Sequence, residues 1–128
     1  MNKTELLNLL NELNFPKDEY YVLSGASLVL RGIREKAGDL DLCISNELFE
    51  NIKEKYNLTE DKKNDCGFYR ISDSLEVVVN KKENFKMEMK NDYNLEDLNV
   101  ILDFKLKRNA PKDQKDIENI KNYLKINN

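Results

Sequence analysis

The sequence predicts an α/β or α+β domain in which helices flank a small mixed β-sheet. Two patterns indicate this class. Short apolar runs typical of buried strands alternate with helical segments, and leucine and isoleucine recur at helical spacing at both ends of the chain. At 128 residues, with 40% hydrophobic and 35% charged residues, we expect a single globular domain over residues 1–128. Its core is predicted at 15–90 and its C-terminal helices at 95–126.

The order of predicted elements is helix, strand, helix, strand, helix, about three strands and two helices. An N-terminal helix capped by Asn2 or Thr4 ends before Pro16, because the residue preceding proline is disfavoured in a helix. The remaining expectations are a strand at Tyr20–Leu23, a helix at Leu28–Arg34 closed by Gly32, a strand at Asp39–Ile44, a helix capped by Asn46, a hairpin of Phe68–Ile71 and Leu75–Val79, an edge strand at Lys86–Met89, a helix at Leu95–Lys107 and a final helix whose first turn contains Pro111.

Composition excludes several kinds of chemistry. The chain has no histidine and only two cysteines, Cys43 and Cys66, so histidine-based triads and the usual zinc sites are absent. The formal net charge of −3 gives no reason to expect general adhesion to nucleic acid. The N-terminus does not resemble a signal peptide, and no apolar run is long enough to span a membrane. We therefore expect a cytoplasmic protein with no membrane partner.

Two carboxylates at the start of the second strand form the first candidate site. Because side chains alternate along a strand, Asp39 and Asp41 share one face while Leu40 and Leu42 occupy the other. The leucines can enter a core while both acids converge on one point, and converging oxygen ligands suit a divalent cation. Glu76, inside the valine-rich strand, either faces solvent or meets a cation, since buried carboxylates need partners.

A corner of small residues precedes these acids. Ser24-Gly25-Ala26-Ser27 lies between a predicted strand and a helix, and Gly25 allows close backbone approach. The N-terminus of the following helix favours a phosphate. A strand-to-helix turn without any ligand is the alternative. Arg34 either reaches a phosphate or is a solvated surface residue.

Together these residues resemble the signature of the nucleotidyltransferase superfamily related to DNA polymerase β. That signature joins a glycine-containing corner, here Gly25-Ala26, to an acid-hydrophobic-acid triplet, here Asp39-Leu40-Asp41. The longer phrase LSGASLVLRGIREKAGDLDL is similar to small bacterial members, which include antibiotic-modifying adenylyltransferases and the toxins of abortive-infection systems. The segment 95–124, with its Lys112-Asp113 and Asp116-Ile117, resembles their closing helices. Ala26 departs from the Gly-Ser or Gly-Gly corner of many members.

The resemblance implies a nucleotidyltransferase-like fold and a Mg²⁺-dependent enzyme that uses two ions. It would move a nucleoside monophosphate from a nucleoside triphosphate (NTP) to a hydroxyl or phosphate acceptor, releasing pyrophosphate. The implied catalytic and metal residues are Asp39, Asp41 and Glu76, the last matched by strand position alone. The implied nucleotide-binding residues are Ser24, Gly25, Ala26, Ser27, Arg34 and Lys105, with Arg108 as a further phosphate candidate.

The acceptor stays open between a small molecule, an RNA and a protein, and a homodimer or partner chain would complete its binding in so short a chain. Two alternatives to an active enzyme also fit. One is an inactive nucleotidyltransferase-like binding module or toxin–antitoxin component. The other is an unrelated interaction domain whose paired acids are simply a solvated strand end.

Overall fold

The computed structural model describes residues 1–126; the last two residues of the predicted domain 1–128 lie outside that range. Within residues 1–126, five α-helices and six strands follow one another along the chain. Their bounds are α1 Lys3–Leu13, β1 Tyr20–Val22, α2 Ser24–Arg31, β2 Leu40–Ile44, α3 Asn46–Ile52, β3 Tyr69–Ser72, β4 Leu75–Val79, β5 Met87–Lys90, β6 Tyr93–Glu96, α4 Leu98–Arg108 and α5 Gln114–Ile126. This arrangement confirms the predicted α+β class with a mixed sheet.

All six strands belong to one sheet, in the order β3-β4-β2-β1-β6-β5. β1 is antiparallel to β2 and parallel to β6, and β2 is parallel to β4. β3–β4 and β5–β6 are antiparallel hairpins at the two edges. The predicted hairpin and the predicted edge strand near Met87 are therefore confirmed.

The main core lies against the sheet. Leu40, Leu42 and Ile44 of β2 are fully buried, as are Leu6 of α1 and Val77 of β4. A smaller second cluster joins the helices that follow the sheet to α2; its buried members are Leu28, Leu98, Ile101 and Ile120. The sheet and the two C-terminal helices are therefore held by separate apolar clusters.

The predicted bounds of the second helix were wrong at both ends. α2 begins at Ser24 rather than Leu28, because the chain turns sharply at Ser24, whose φ is 38°. It ends at Arg31 rather than Arg34, because Gly32 adopts a left-handed conformation (φ 82°) and closes the helix as predicted. The tight turn is thus made by a serine, and Gly25 lies inside the first helical turn.

The third helix begins one residue earlier than expected. Ser45, not Asn46, is its cap, and the Ser45 hydroxyl accepts the Leu48 N–H at 3.0 Å. The strand before it begins at Leu40, so Asp39 lies just outside β2.

The prediction of a helix over Leu95–Lys107 was wrong at its start. Tyr93–Glu96 forms β6, which pairs with β1 through Val22 and Leu95, and α4 begins only at Leu98. Asp97 caps this helix, accepting the N–H groups of Asn99 and Val100. Pairing with the central strand thus overrides the helical spacing of the leucines. Across residues 1–126, no helix is long and apolar enough to cross a lipid bilayer.

Candidate functional site

Two of the three predicted metal-binding acids come together through the register of two parallel strands. Asp41 on β2 pairs directly with Glu76 on β4. Paired residues on neighbouring strands project from the same face of a sheet, so both carboxylates lie on one side. Leu40 and Leu42 are fully buried on the opposite face, as the alternation predicted. Asp39, exposed and just before the strand, completes the acidic group.

Asp41 is half-buried, whereas Asp39 is exposed. The Oδ1 of Asp41 is buried and has no hydrogen-bond partner among the described residues. Burial, reinforced by the negative charges of Glu76 and Asp39, raises the pKa of Asp41 to about 6. An ionised carboxylate in this position lacks a compensating charge, which a bound cation would supply.

Glu76 already has a protein partner. Arg70 on β3 lies with its Nη2 3.1 Å from Glu76 Oε1, and the Glu76 side chain is only 18% exposed. Glu76 is therefore largely shielded from solvent and already paired with a cation of the protein. Within residues 1–126, no group of three carboxylates or thiols lies close enough together to hold a metal ion as the side chains stand.

The corner at Ser24 is linked to both the acids and β6. The Leu23 N–H donates to the Asp41 carbonyl at 2.9 Å, which fixes the corner beside β2. The Ser24 N–H donates to the Glu96 carboxylate at 2.8 Å. Burial raises the pKa of Glu96, opposed by the Ser24 hydrogen bond and by nearby Arg31 and Lys105. One N–H at this helix start is thus already occupied by a protein anion.

The Ser27 side chain is directed into the protein interior. It is fully buried, and its hydroxyl donates to the Ser24 carbonyl at 2.5 Å. Helical geometry turns this hydroxyl back onto the preceding turn, and the contact of Ser27 with a phosphate stays a prediction.

Gly25 makes room for a guanidinium group. A Cβ added at Gly25 would lie 2.9 Å from Arg34 Nη1, closer than such contacts allow. Arg34 Nη1 also lies 3.2 Å from the Asp116 carboxylate. The expected close approach at Gly25 is thus made by Arg34, which ties the corner to the final helix.

A cluster of cations and acids from the C-terminal helices borders the same space. Lys105 is buried, with its Nζ 3.6 Å from Asp113 and 3.3 Å from Asp116. Arg108 donates to Asp113 through both Nε, at 2.9 Å, and Nη2. Hydrogen bonding to Arg108 holds the pKa of Asp113 well below its usual value. Arg108 and Asp113 therefore form a salt bridge.

These parts line a cavity of about 300 Å³, hereafter the acid–base cavity, at the lower end of the range for small-molecule sites. Seven of the nine residues assigned to catalysis, metal or nucleotide binding line it, namely Ser24, Gly25, Ala26, Arg34, Asp39, Asp41 and Lys105, and so does Arg108, the further phosphate candidate. Glu76 and Ser27 do not.

Sequence reasoning missed two contributors, Lys112 and Glu96, and left a third, Asp116, undecided. Lys112 lines the acid–base cavity, and an exposed lysine in an acidic chain carries no distinguishing signal. Asp116 contacts both Lys105 and Arg34; from the sequence, a functional role and a role in helix capping or a salt bridge fit it equally well. Glu96 was hidden because its segment was assigned to a helix instead of a strand.

Comparisons of this chain with protein-family models, with curated proteins and with solved structures gave no match.

Proposed function

We propose that this chain is a Mg²⁺-dependent nucleotidyltransferase that transfers a nucleoside monophosphate from an NTP to a hydroxyl or phosphate acceptor. The observation that carries the proposal is the buried Oδ1 of Asp41, which has no hydrogen-bond partner among residues 1–126. Asp41 lines a cavity whose wall also contains Lys105, Arg108 and Lys112. In a metal–triphosphate complex, the metal would supply the counter-charge that this carboxylate lacks, and the phosphates would pair with the neighbouring cations.

The cations suit the phosphates of a triphosphate. Arg108 is held by Asp113 through two hydrogen bonds, and Arg34 is held near Gly25 by Asp116. Guanidinium groups fixed in this way need little reordering to bind phosphate oxygens. Lys105 contributes charge from a buried position. Ser24 and Ala26 line the same space, although the Ser24 N–H is engaged by Glu96.

The acids suit the metal. Asp41 and Asp39 line the acid–base cavity, and Glu76 is the register partner of Asp41. These residues would hold Mg²⁺, which in this chemistry neutralises the charge that develops on the leaving pyrophosphate. Glu76 would need to exchange its contact with Arg70 to take part. Two free cysteines, Cys43 and Cys66, fit the cytoplasmic location that we propose.

A second candidate is a nucleotide-binding module without turnover, including a toxin–antitoxin component. The Arg70–Glu76 ion pair favours it, because this pair neutralises the third acid without any metal. The two candidates share nucleotide binding and differ in catalysis.

Isothermal titration of ATP, GTP, CTP and UTP with and without Mg²⁺ tests the proposal. Wild type should bind at least one triphosphate in a Mg²⁺-dependent manner, and Asp41→Asn should lose this dependence. Asp18→Asn is the matched control, since Asp18 is exposed and lies outside the acid–base cavity. Absence of triphosphate binding by wild type would refute both candidates.

Release of pyrophosphate then separates the candidates. Incubation of the bound triphosphate with Mg²⁺ and a panel of hydroxyl and phosphate acceptors should yield pyrophosphate with wild type only. Triphosphate binding without pyrophosphate release across the panel would favour the inactive module. No variant of a cavity residue should release more pyrophosphate than wild type.

A further inference from the structure

A second cavity adjoins the acid–base cavity. It has a volume of about 460 Å³ and lies between the loop after α2 and the start of α5. Arg34, Lys112 and Asp116 line both cavities, so a ligand in one lies beside a ligand in the other. We call the second cavity the basic cleft, because four cations line it, namely Arg34, Lys36, Lys112 and Lys115.

The charge of the basic cleft is opposite to that of the chain. Its two acids are Glu35 and Asp116, which leaves a formal excess of positive charge in a protein of net charge −3. Asp116 is itself engaged by Lys105 at 3.3 Å and by Arg34 at 3.2 Å. Asp116 therefore does not neutralise the exposed lysines of the cleft.

The lysines of the basic cleft are free to bind an anion. Within the described part of the chain, Lys36, Lys112 and Lys115 have no carboxylate within 4.0 Å. Three ammonium groups around one concavity create a local positive potential that attracts anions. These three lysines would therefore bind an anion without breaking an existing salt bridge.

The lining of the basic cleft indicates which anion it suits. Its other lining residues are Ile33 and Asn119, and no aromatic side chain of residues 1–126 lines it. The cleft therefore offers no aromatic surface for base stacking. Ammonium groups and a guanidinium favour phosphate oxygens.

We propose that the basic cleft is the acceptor subsite and binds a phosphate group of a phosphate-bearing acceptor. This inference rests on the proposed nucleotidyltransferase function. The acceptor's oxygen enters the acid–base cavity and forms a bond to the α-phosphorus of the NTP. The bond between the α-phosphorus and the oxygen that joins it to the β-phosphorus breaks, and pyrophosphate leaves with the electron pair of that bond. The acceptor's proton goes to water.

The phosphate can come from a polynucleotide or from a small phosphomonoester, and two probes distinguish these sources. The first is a fluorescent single-stranded uridylate decamer and the second is glycerol 2-phosphate. Both are titrated in EDTA without NTP, so that cleft binding is measured whether or not the chain binds triphosphates. Binding of either probe identifies the source of the phosphate.

The variant Lys36→Glu/Lys115→Glu tests the site, because these two lysines line the basic cleft but not the acid–base cavity. Lys121→Glu/Lys125→Glu is the matched control, with the same change in charge on exposed lysines of α5 that do not line the cleft. The cleft variant should bind the probe at least tenfold more weakly, while the control stays within about twofold of wild type. For the decamer, the negative slope of log K against log salt should become shallower by about 1.4, or about 0.7 for each lost contact.

Triphosphate titration of the same variants separates this inference from the proposed function. Retained Mg²⁺-dependent NTP binding in the cleft variant, with lost probe binding, supports an acceptor subsite. Equal weakening by the two double variants would overturn the inference, as would failure of wild type to bind either probe at low salt. If wild type binds a probe through the cleft lysines but binds no NTP, the anion site stands and its assignment to an acceptor is refuted.

Discussion

The environment of Asp41 leads to a stability prediction that runs against the usual effect of changing a residue in a partly buried site. At neutral pH the folded protein contains an ionised Asp41 whose Oδ1 has no partner among the described residues. Replacing it by the neutral, nearly isosteric asparagine removes the penalty of burying that charge. We expect Asp41→Asn to raise the free energy of unfolding in Mg²⁺-free buffer.

The size of the effect follows from the pKa of this group. A rise from the usual 3.8 to about 6 corresponds to about 3 kcal/mol at about 1.4 kcal/mol per pKa unit. Asp41 retains partial contact with solvent, and the asparagine amide brings its own desolvation cost. A net stabilisation of about 1–2 kcal/mol at pH 7.5 is therefore expected, or a rise in Tm of about 4–8 °C for a domain of this size.

The pH dependence has a definite sign. An acid whose folded pKa is raised retains its proton longer in the folded state, so the folded state binds more protons between about pH 4 and 6. The wild-type protein should lose stability as the pH rises through this window, and Asp41→Asn should lack that part of the decline. Near pH 3.8 and below, the difference between the two proteins should vanish.

Urea denaturation followed by circular dichroism in EDTA, at pH 4 and pH 7.5, measures both effects. Added Mg²⁺ should then stabilise wild type at pH 7.5 and leave Asp41→Asn unchanged, and Asp18→Asn should follow wild type throughout. A variant less stable than wild type at pH 7.5 in EDTA would refute the account of Asp41 as an uncompensated buried charge.

Three further substitutions test other parts of the site and its support. Gly25→Ala should change the free energy of unfolding by less than about 1 kcal/mol, because better helix propensity offsets displacement of the flexible Arg34 guanidinium. Triphosphate titration of this variant should show weaker binding. Unchanged affinity would argue against a role for Arg34 in binding the triphosphate. Ser45→Ala should lower the free energy of unfolding by about 1–2 kcal/mol in urea, because it removes the cap on the Leu48 N–H, whereas Ser45→Thr should retain part of it. Lys105→Met should cost about 3 kcal/mol by the same assay, because it leaves two buried carboxylates without their shared cation; a neutral result would show that the ion pairs do not stabilise the fold.

Local patterns were sufficient for the part of the site that depends on strand geometry. The alternation of acids and leucines predicted that Asp41 faces away from the core, and its register partner Glu76 lies on a strand recognisable by its valines. Gly32 was likewise identified as a helix end from residue type alone, because few other residues adopt a φ of 82° at low cost.

The remaining features depend on contacts between distant segments, which periodicity does not reveal. Leu95 has the spacing of a helical residue, yet pairing with Val22 makes it part of a strand, and this misassignment hid Glu96. Ser27 belongs to the phosphate-corner pattern, but an earlier helix start turns its hydroxyl inward. The contact of Arg34 with Asp116 joins residues 82 positions apart.

The division of the apolar core has a consequence for when the acid–base cavity exists. Asp41 lies on β2 and Asp39 just before it, whereas Lys105 and Arg108 lie on α4 and Lys112 lies between α4 and α5. The small cluster of Leu28, Leu98, Ile101 and Ile120 holds these two helices against α2. A cluster of this size can open at a lower free energy than the whole fold. Amide hydrogens of α4 and α5 should then exchange faster than those of β2, and each opening would remove the cations from the acids while the sheet stays intact. Ligand that bridges the two halves would slow that exchange, so affinity and local opening are thermodynamically linked in this chain.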